Sequence, residues 1–149
     1  MLVDQNAETG IYVGCQGALV EHNQVVDTGG STAATALDVI GIYADGPGST
    51  LSNNMVSGLT ATGGGEHGIA TDGEYTIVRG NVVSDTATPT GGGTSFGIYL
   101  FQSIAVNNSI SNFGYGIVND GGIYAHNTAY NCTTPYFNNG GTAGAGNSP

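Results

Sequence analysis

The chain repeats itself. A Gly-Ile doublet recurs at Gly10-Ile11, Gly41-Ile42, Gly68-Ile69, Gly97-Ile98 and Gly116-Ile117, at intervals of 31, 27, 29 and 19 residues. An Asn follows each doublet, 13 residues after the Gly in the first three copies and 11 after it in the last two: Asn23, Asn54, Asn81, Asn108 and Asn127. Three residues before these Asn stand Val20, Leu51, Val78, Ala105 and Tyr124, and two residues after them stand Val25, Val56, Val83, Ile110 and Ala129. A repeated unit of this size cannot bury its apolar side chains alone, so it must stack on its own copies.

The copies are rich in Val, Ile, Thr and Asn and broken by Gly, which argues against helices. Short apolar alternations between turn signals give three strands per copy: one on Gly-Ile, one before the Asn and one after it. The same residue types recur in the same order, so successive copies stack in parallel. The fold class is all-β, a parallel β-helix of about five coils of three short strands. Residues 1–9 form a partial N-terminal coil, 10–132 the five coils, and 133–149 a C-terminal tail, within a single domain 1–149.

The pattern Gly-Ile followed by V-x-x-N-x-V resembles the repeats of the right-handed parallel β-helices of the pectate-lyase-like superfamily, over residues 10–132. The resemblance implies right-handed coiling. It also implies that Asn23, Asn54, Asn81, Asn108 and Asn127 form an internal ladder at the turn between the second and third strands. An Asn side chain carries both donors and an acceptor, so stacked copies can satisfy one another. Asn also tolerates the left-handed backbone of a tight turn.

The segments Thr28–Ile40, Gly58–His67 and Asp85–Phe96 are long and rich in Gly and Thr, whereas 112–115 is short. Insertions at one corner of a solenoid raise a wall on one side, often the binding side. Leu2, Val3 and Asn6 fit the strand-before-Asn columns of an incomplete coil. No amphipathic cap covers that end, so self-association or additional coils are expected there. The stretch Gly140–Pro149 reads as flexible. Cys15 and Cys132 fall in coils one and five; at about 4.8 Å per coil they are too far apart for a disulfide. The first residues lack the basic and apolar regions of a signal peptide, which points to a removed leader or a piece of a longer chain.

Eleven Asp and Glu face a single Arg, Arg79, and no Lys, giving a net charge of −10. That excludes nucleic acid, which needs a basic footprint, and an anionic membrane surface. With 8% charged residues the surface must be mostly Asn, Thr, Ser and Gly, which suits hydrogen bonding to sugars.

On the Gly-Ile strand the residue after Ile points outward: Tyr12, Tyr43, Ala70, Tyr99 and Val118. Exposed tyrosines on a flat sheet offer a stacking surface for sugar rings; the alternative is plain cross-coil packing. Two residues further on lie Gly14, Asp45, Asp72, Phe101 and Asp120. Asp45 and Asp72 would stand about 5 Å apart on adjacent coils. Such a pair suits Ca²⁺, or a catalytic pair of the retaining-glycosidase type, or is simply two Asp-Gly turns. The resemblance places a cleft on this face around Tyr43, Asp45, Asp72 and Tyr99, under Glu66, His67 and Asp85. His22, His67 and His126 read as structural. The superfamily's lyases need a Lys or Arg base beside a carboxylate, and Arg79 falls on the strand before the Asn instead.

The expected function is a secreted or surface-displayed β-helix that binds polysaccharide or serves as a structural module. The alternative is a glycoside hydrolase or polysaccharide lyase whose cleft lies on the outer face of the Gly-Ile sheet. An ice-binding face would need a regular Thr-x-Thr ladder, which the columns lack.

Overall fold

The computed structural model describes residues 1–29, 38–85 and 94–149. Among these residues, eighteen short strands form three parallel sheets of six. The chain is a right-handed parallel β-helix. The first sheet holds the five Gly-Ile strands, Thr9–Val13, Val39–Ala44, Glu66–Thr71, Ser95–Phe101 and Tyr115–Asp120, and a sixth strand, Thr134–Asn139. The second holds the strands before the Asn, among them Thr50–Ser52, Ile77–Arg79, Ile104–Val106 and Ile123–Ala125. The third holds those after it, among them Met55–Ser57, Val82–Ser84 and Ser109–Ser111.

Register follows the repeat column by column. Ile42 pairs with Ile69, Ile69 with Ile98 and Ile98 with Ile117. Leu51 pairs with Val78, and Val56 with Val83. These three columns point inward and fill the centre; Ile42, Leu51, Val56, Ile69, Val78, Val83, Ile98 and Ile110 are fully buried. Each such side chain contributes about 1.5–3 kcal/mol by leaving water.

The Asn ladder is continuous. Asn23 Nδ2 donates to Asn54 Oδ1 at 3.0 Å, Asn54 to Asn81 at 3.1 Å, Asn81 to Asn108 at 3.0 Å and Asn108 to Asn127 at 3.0 Å. Each Oδ1 also accepts the backbone N–H of the preceding Asn, as Asn108 does from Asn81 at 2.9 Å. The second Nδ2 hydrogen goes back to a carbonyl of the previous coil: Asn81 donates to Leu51 O at 2.9 Å. Every buried amide is therefore satisfied on both sides, which is what permits it to be buried at all.

Three expectations require correction. The left-handed turn residue is the one before each ladder Asn: His22, Asn53, Gly80, Asn107 and His126 have φ between 53° and 64°. The ladder Asn itself stays outside that region, free to aim its amide inward. His22 and His126 thus occupy turn positions. Secondly, Leu2–Asp4 pairs with Gln24–Val26, so it belongs to the strand after the Asn, and Asn6 lies off the ladder. Thirdly, the tail is a sixth coil. Tyr136 pairs with Ile117 and stacks on Tyr124 at 5.4 Å, and Asn147 Oδ1 accepts the backbone N–H of Asn127 at 3.1 Å. The phenol of Tyr136 fastens this coil, its oxygen lying 2.7 Å from the carbonyls of both Asn127 and Ser148, which compete for its one hydrogen.

The wall expected from Thr28–Ile40 and Asp85–Phe96 falls largely on residues 30–37 and 86–93, outside the described residues. The Gly58–His67 segment is described and folds against the core, with Leu59 and Ala61 buried. Cys15 and Cys132 are free thiols.

Candidate functional site

Three outward columns cross the first sheet. The one nearest the loop corner carries Ile40, His67, Phe96 and Tyr115, which pair in register. The middle one carries Tyr12, Tyr43, Ala70, Tyr99, Val118 and Phe137. The third follows two residues later with Asp45, Asp72, Phe101 and Asp120.

Stacking at the coil spacing brings the rings of the first two columns together. His67 meets Phe96 edge-on at 5.0 Å, Phe96 lies nearly parallel to Tyr99 at 6.1 Å, and Phe96 meets Tyr115 at 5.5 Å. Tyr115 meets Phe137 at 5.9 Å. The result is a continuous aromatic strip across four coils, with a depression of about 160 Å³ bounded by Thr94, Phe96, Tyr115, Val118 and Phe137. Tyr12 and Tyr43 form a separate tilted pair at 5.6 Å.

The tyrosines are tied to the acidic column along a diagonal. Tyr12 donates to Asp45 Oδ2 at 3.3 Å, and Tyr43 to Asp72 Oδ2 at 2.6 Å. Asp120 stands one coil on from Tyr99 in the same diagonal position, and its charge acts on the Tyr99 phenol. A Tyr in one coil thus meets an Asp in the next. Where the middle column has Ala70, the next coil has Phe101 in place of Asp. The Asp45 carboxylate raises the Tyr12 pKa through its charge and its hydrogen bond. For Tyr43 the hydrogen bond to Asp72 is the largest cause of an upward shift, and for Tyr99 it is burial, followed by Asp120. Asp45 and Asp72 are neighbours on adjacent coils, as their backbone N–H bonds to Val13 O and Ala44 O fix. Among the described residues, no group of three or more His, Cys, Asp or Glu gathers as a metal site would require.

Glu66 and Asp85 do not overhang this face. Their side chains lie beneath it, 3% and 2% exposed. Glu66 occupies an inward column between Val39 and Ser95. Its Oε1 accepts the N–H of Ala61 at 2.8 Å, which anchors the Gly58–His67 segment. Burial pushes the Glu66 pKa up to about 7; the Ala61 bond opposes this, and the charge of Asp85 and a carboxyl–carboxyl hydrogen bond to it add to it. The charge of the neighbouring Asp85 carboxylate thus adds to burial in disfavouring the ionised form of Glu66.

His67 is outward but largely covered by rings, and burial lowers its pKa against the opposing pull of Asp38 and Asp72. Its Nε2 stands 3.8 Å from Asp38 Oδ2, and Asp38 Oδ1 accepts the N–H of Gly65 at 2.6 Å. Arg79 is exposed on the second sheet and does not serve the first-sheet face.

Tyr12, Tyr43, Tyr99, Asp45 and Asp72 lie along the outer face of the first sheet, where sequence reasoning placed them. It missed Phe96, Tyr115 and Phe137 as the main ring surface, although Phe96 and Tyr115 share the column of His67. No family model, no curated protein and no solved structure matches the chain.

Proposed function

We propose that the outer face of the first sheet binds polysaccharide, and that the chain is a carbohydrate-binding or structural β-helix of the pectate-lyase-like type, secreted or displayed at a cell surface. The observation that carries this reading is the aromatic strip of His67, Phe96, Tyr99, Tyr115 and Phe137 on a flat parallel sheet. Rings in a row at the coil spacing, crossing edge-on from coil to coil, offer successive sugars an alternation of apolar faces and edges. The flanking Tyr12, Tyr43, Asp45, Asp72 and Asp120 supply hydrogen-bonding edges. The absence of Lys and the remote position of Arg79 favour binding over lyase chemistry.

A glycan-array screen with and without calcium, followed by reducing-sugar assays on the hits, tests it. Binding without turnover, weakened at least about fivefold by Phe96→Ala or Tyr115→Ala, is the expected result; fivefold corresponds to about 1 kcal/mol per lost ring contact. Release of reducing ends that stops in Asp45→Asn or Asp72→Asn, with binding retained, would replace this reading by hydrolysis. Binding that needs calcium and fails in Asp45→Asn would make the Asp45–Asp72 pair an ion site.

A further inference from the structure

The corner between the first and second sheets is turned at one left-handed residue per coil: Gly17, Gly48, Tyr75, Gln102, Gly121 and Gly140, with φ from 45° to 77°. Four of the six are Gly, the residue that adopts this backbone without strain. Tyr75 adopts it at φ 61°, where an L-residue pays about 1–2 kcal/mol. Its ring is 71% exposed, so burial returns little of that cost. Gln102, the other exception, sits on the next coil, where its carbonyl accepts the Tyr75 N–H at 3.0 Å. Strain that packing does not repay points toward a function of the residue that bears it.

The two residues flank a groove of about 400 Å³. Its floor is Ile77, Ile104 and Ile123, stacked in register on three successive coils and left partly exposed. Ser103, Gly121 and Gly122 complete its lining. No lining residue is charged, in a chain of net charge −10. An anionic ligand is repelled by the overall field and a cation finds no counter-charge in the groove, so the lining selects a neutral ligand. An aromatic wall and aliphatic floor suit a flat apolar face, and the Gln102 amide offers both a donor and an acceptor to a hydroxyl edge.

We propose that this groove is a second glycan site, distinct from the first-sheet face, in which a neutral pyranose stacks on Tyr75 over the isoleucine floor and bonds through its hydroxyls to Gln102. The site shares no residue with the aromatic strip and stands or falls separately from it.

The test is a titration of isoleucine-methyl-labelled protein with neutral β-1,4-linked hexasaccharides of glucose, mannose and xylose, followed by NMR. The methyls of Ile77, Ile104 and Ile123 should shift with at least one of them. Tyr75→Gly should weaken that binding about tenfold or more while leaving the melting temperature unchanged or higher, because Gly relieves the left-handed strain. A merely structural tyrosine would give the opposite pair: a lower melting temperature and unchanged binding. Phe96→Ala separates the two faces; the shifts persist in it, and their loss would overturn the independence of the groove. Silence of the three methyls toward every neutral hexasaccharide, including the case where only neutral Nile red enters, would overturn the proposal. So would shifts caused by hexagalacturonate alone.

Discussion

A Cβ placed on Gly41 would lie 2.3 Å from Cγ1 of Val56. The two residues belong to different sheets and face each other across the core, and the bend at Gly41-Ile42 turns both of these residues inward. The Gly of the repeat is thus the counterpart of the valine column two residues after each Asn, which takes the space a side chain would need. Gly41→Ala should cost about 1–3 kcal/mol by overpacking. Val56→Ala in the same chain should recover only part of it, since Gly68 O lies 2.6 Å from the same point. Gly17→Ala, with open space around it but φ 69°, should cost about 1 kcal/mol from backbone strain alone. Urea unfolding of the four proteins checks the order, and a Gly41→Ala variant as mild as Gly17→Ala would refute it.

The ladder makes a sharper demand. Asn81→Ala strips the Asn54 amide of its acceptor and leaves Asn108 Oδ1 with fewer donors, inside a fully buried turn. Leaving such groups unpaired costs about 1–3 kcal/mol. The same change at Asn53, a turn residue outside the ladder, should cost less. Equal losses in chemical denaturation would mean that the ladder bonds add nothing beyond the turn.

The buried acids give stability a pH slope. Glu66 has a folded pKa of about 7 against an ordinary value of 4.5, so the folded state holds the proton longer than the unfolded chain. Stability is then full below about pH 4.5, declines as pH rises toward 7, and levels off above it; one proton sets a ceiling of about 1.4 kcal/mol per pH unit. Glu66→Gln keeps the Ala61 bond and should flatten that slope in thermal melts taken across this range. An unaltered slope would assign the effect to another group.

The Tyr–Asp diagonals make a second titration, at the alkaline end. Tyr43 should ionise well above the ordinary value of 10.0, because its phenol donates to Asp72 and its anion would face that carboxylate. In Asp72→Asn the phenol should return toward the ordinary value, read as tyrosinate absorbance. For stability the sign runs downward: the contribution is intact below about pH 10 and is lost as pH rises through the folded value. Tyr43 titrating normally in the parent would show that the diagonal does not persist in solution.

Much of this architecture was legible because the columns Ile42, Leu51, Val56 and Asn54 recur as residue types. What escaped had lost its type or its parity. The sixth coil was hidden because Pro135 and Tyr136 stand where the other coils have Gly and Ile; Tyr136 fills the column by stacking on Tyr124. Glu66 was placed over the outer face by the resemblance, yet simple alternation fails across the Gly-Ile bend and the strand turns it inward. The pairing of Tyr43 with Asp72 was invisible because the two lie one coil and two positions apart, a relation that neither column shows alone. The groove at Tyr75 was missed because its signal is a backbone angle.

The coil from Gly97 to Gly116 closes in 19 residues, and within it Asn108 reaches Asn127 with an unbroken ladder bond. That length is therefore enough chain for one complete circuit of the three sheets. The longer circuits that precede it spend residues that backbone closure does not require. Scaffold and surface are in this sense written in separate allotments of chain: a near-constant portion that returns the backbone to its starting point, and a variable remainder that can lengthen, shorten or change chemistry while the rung above and the rung below keep their places.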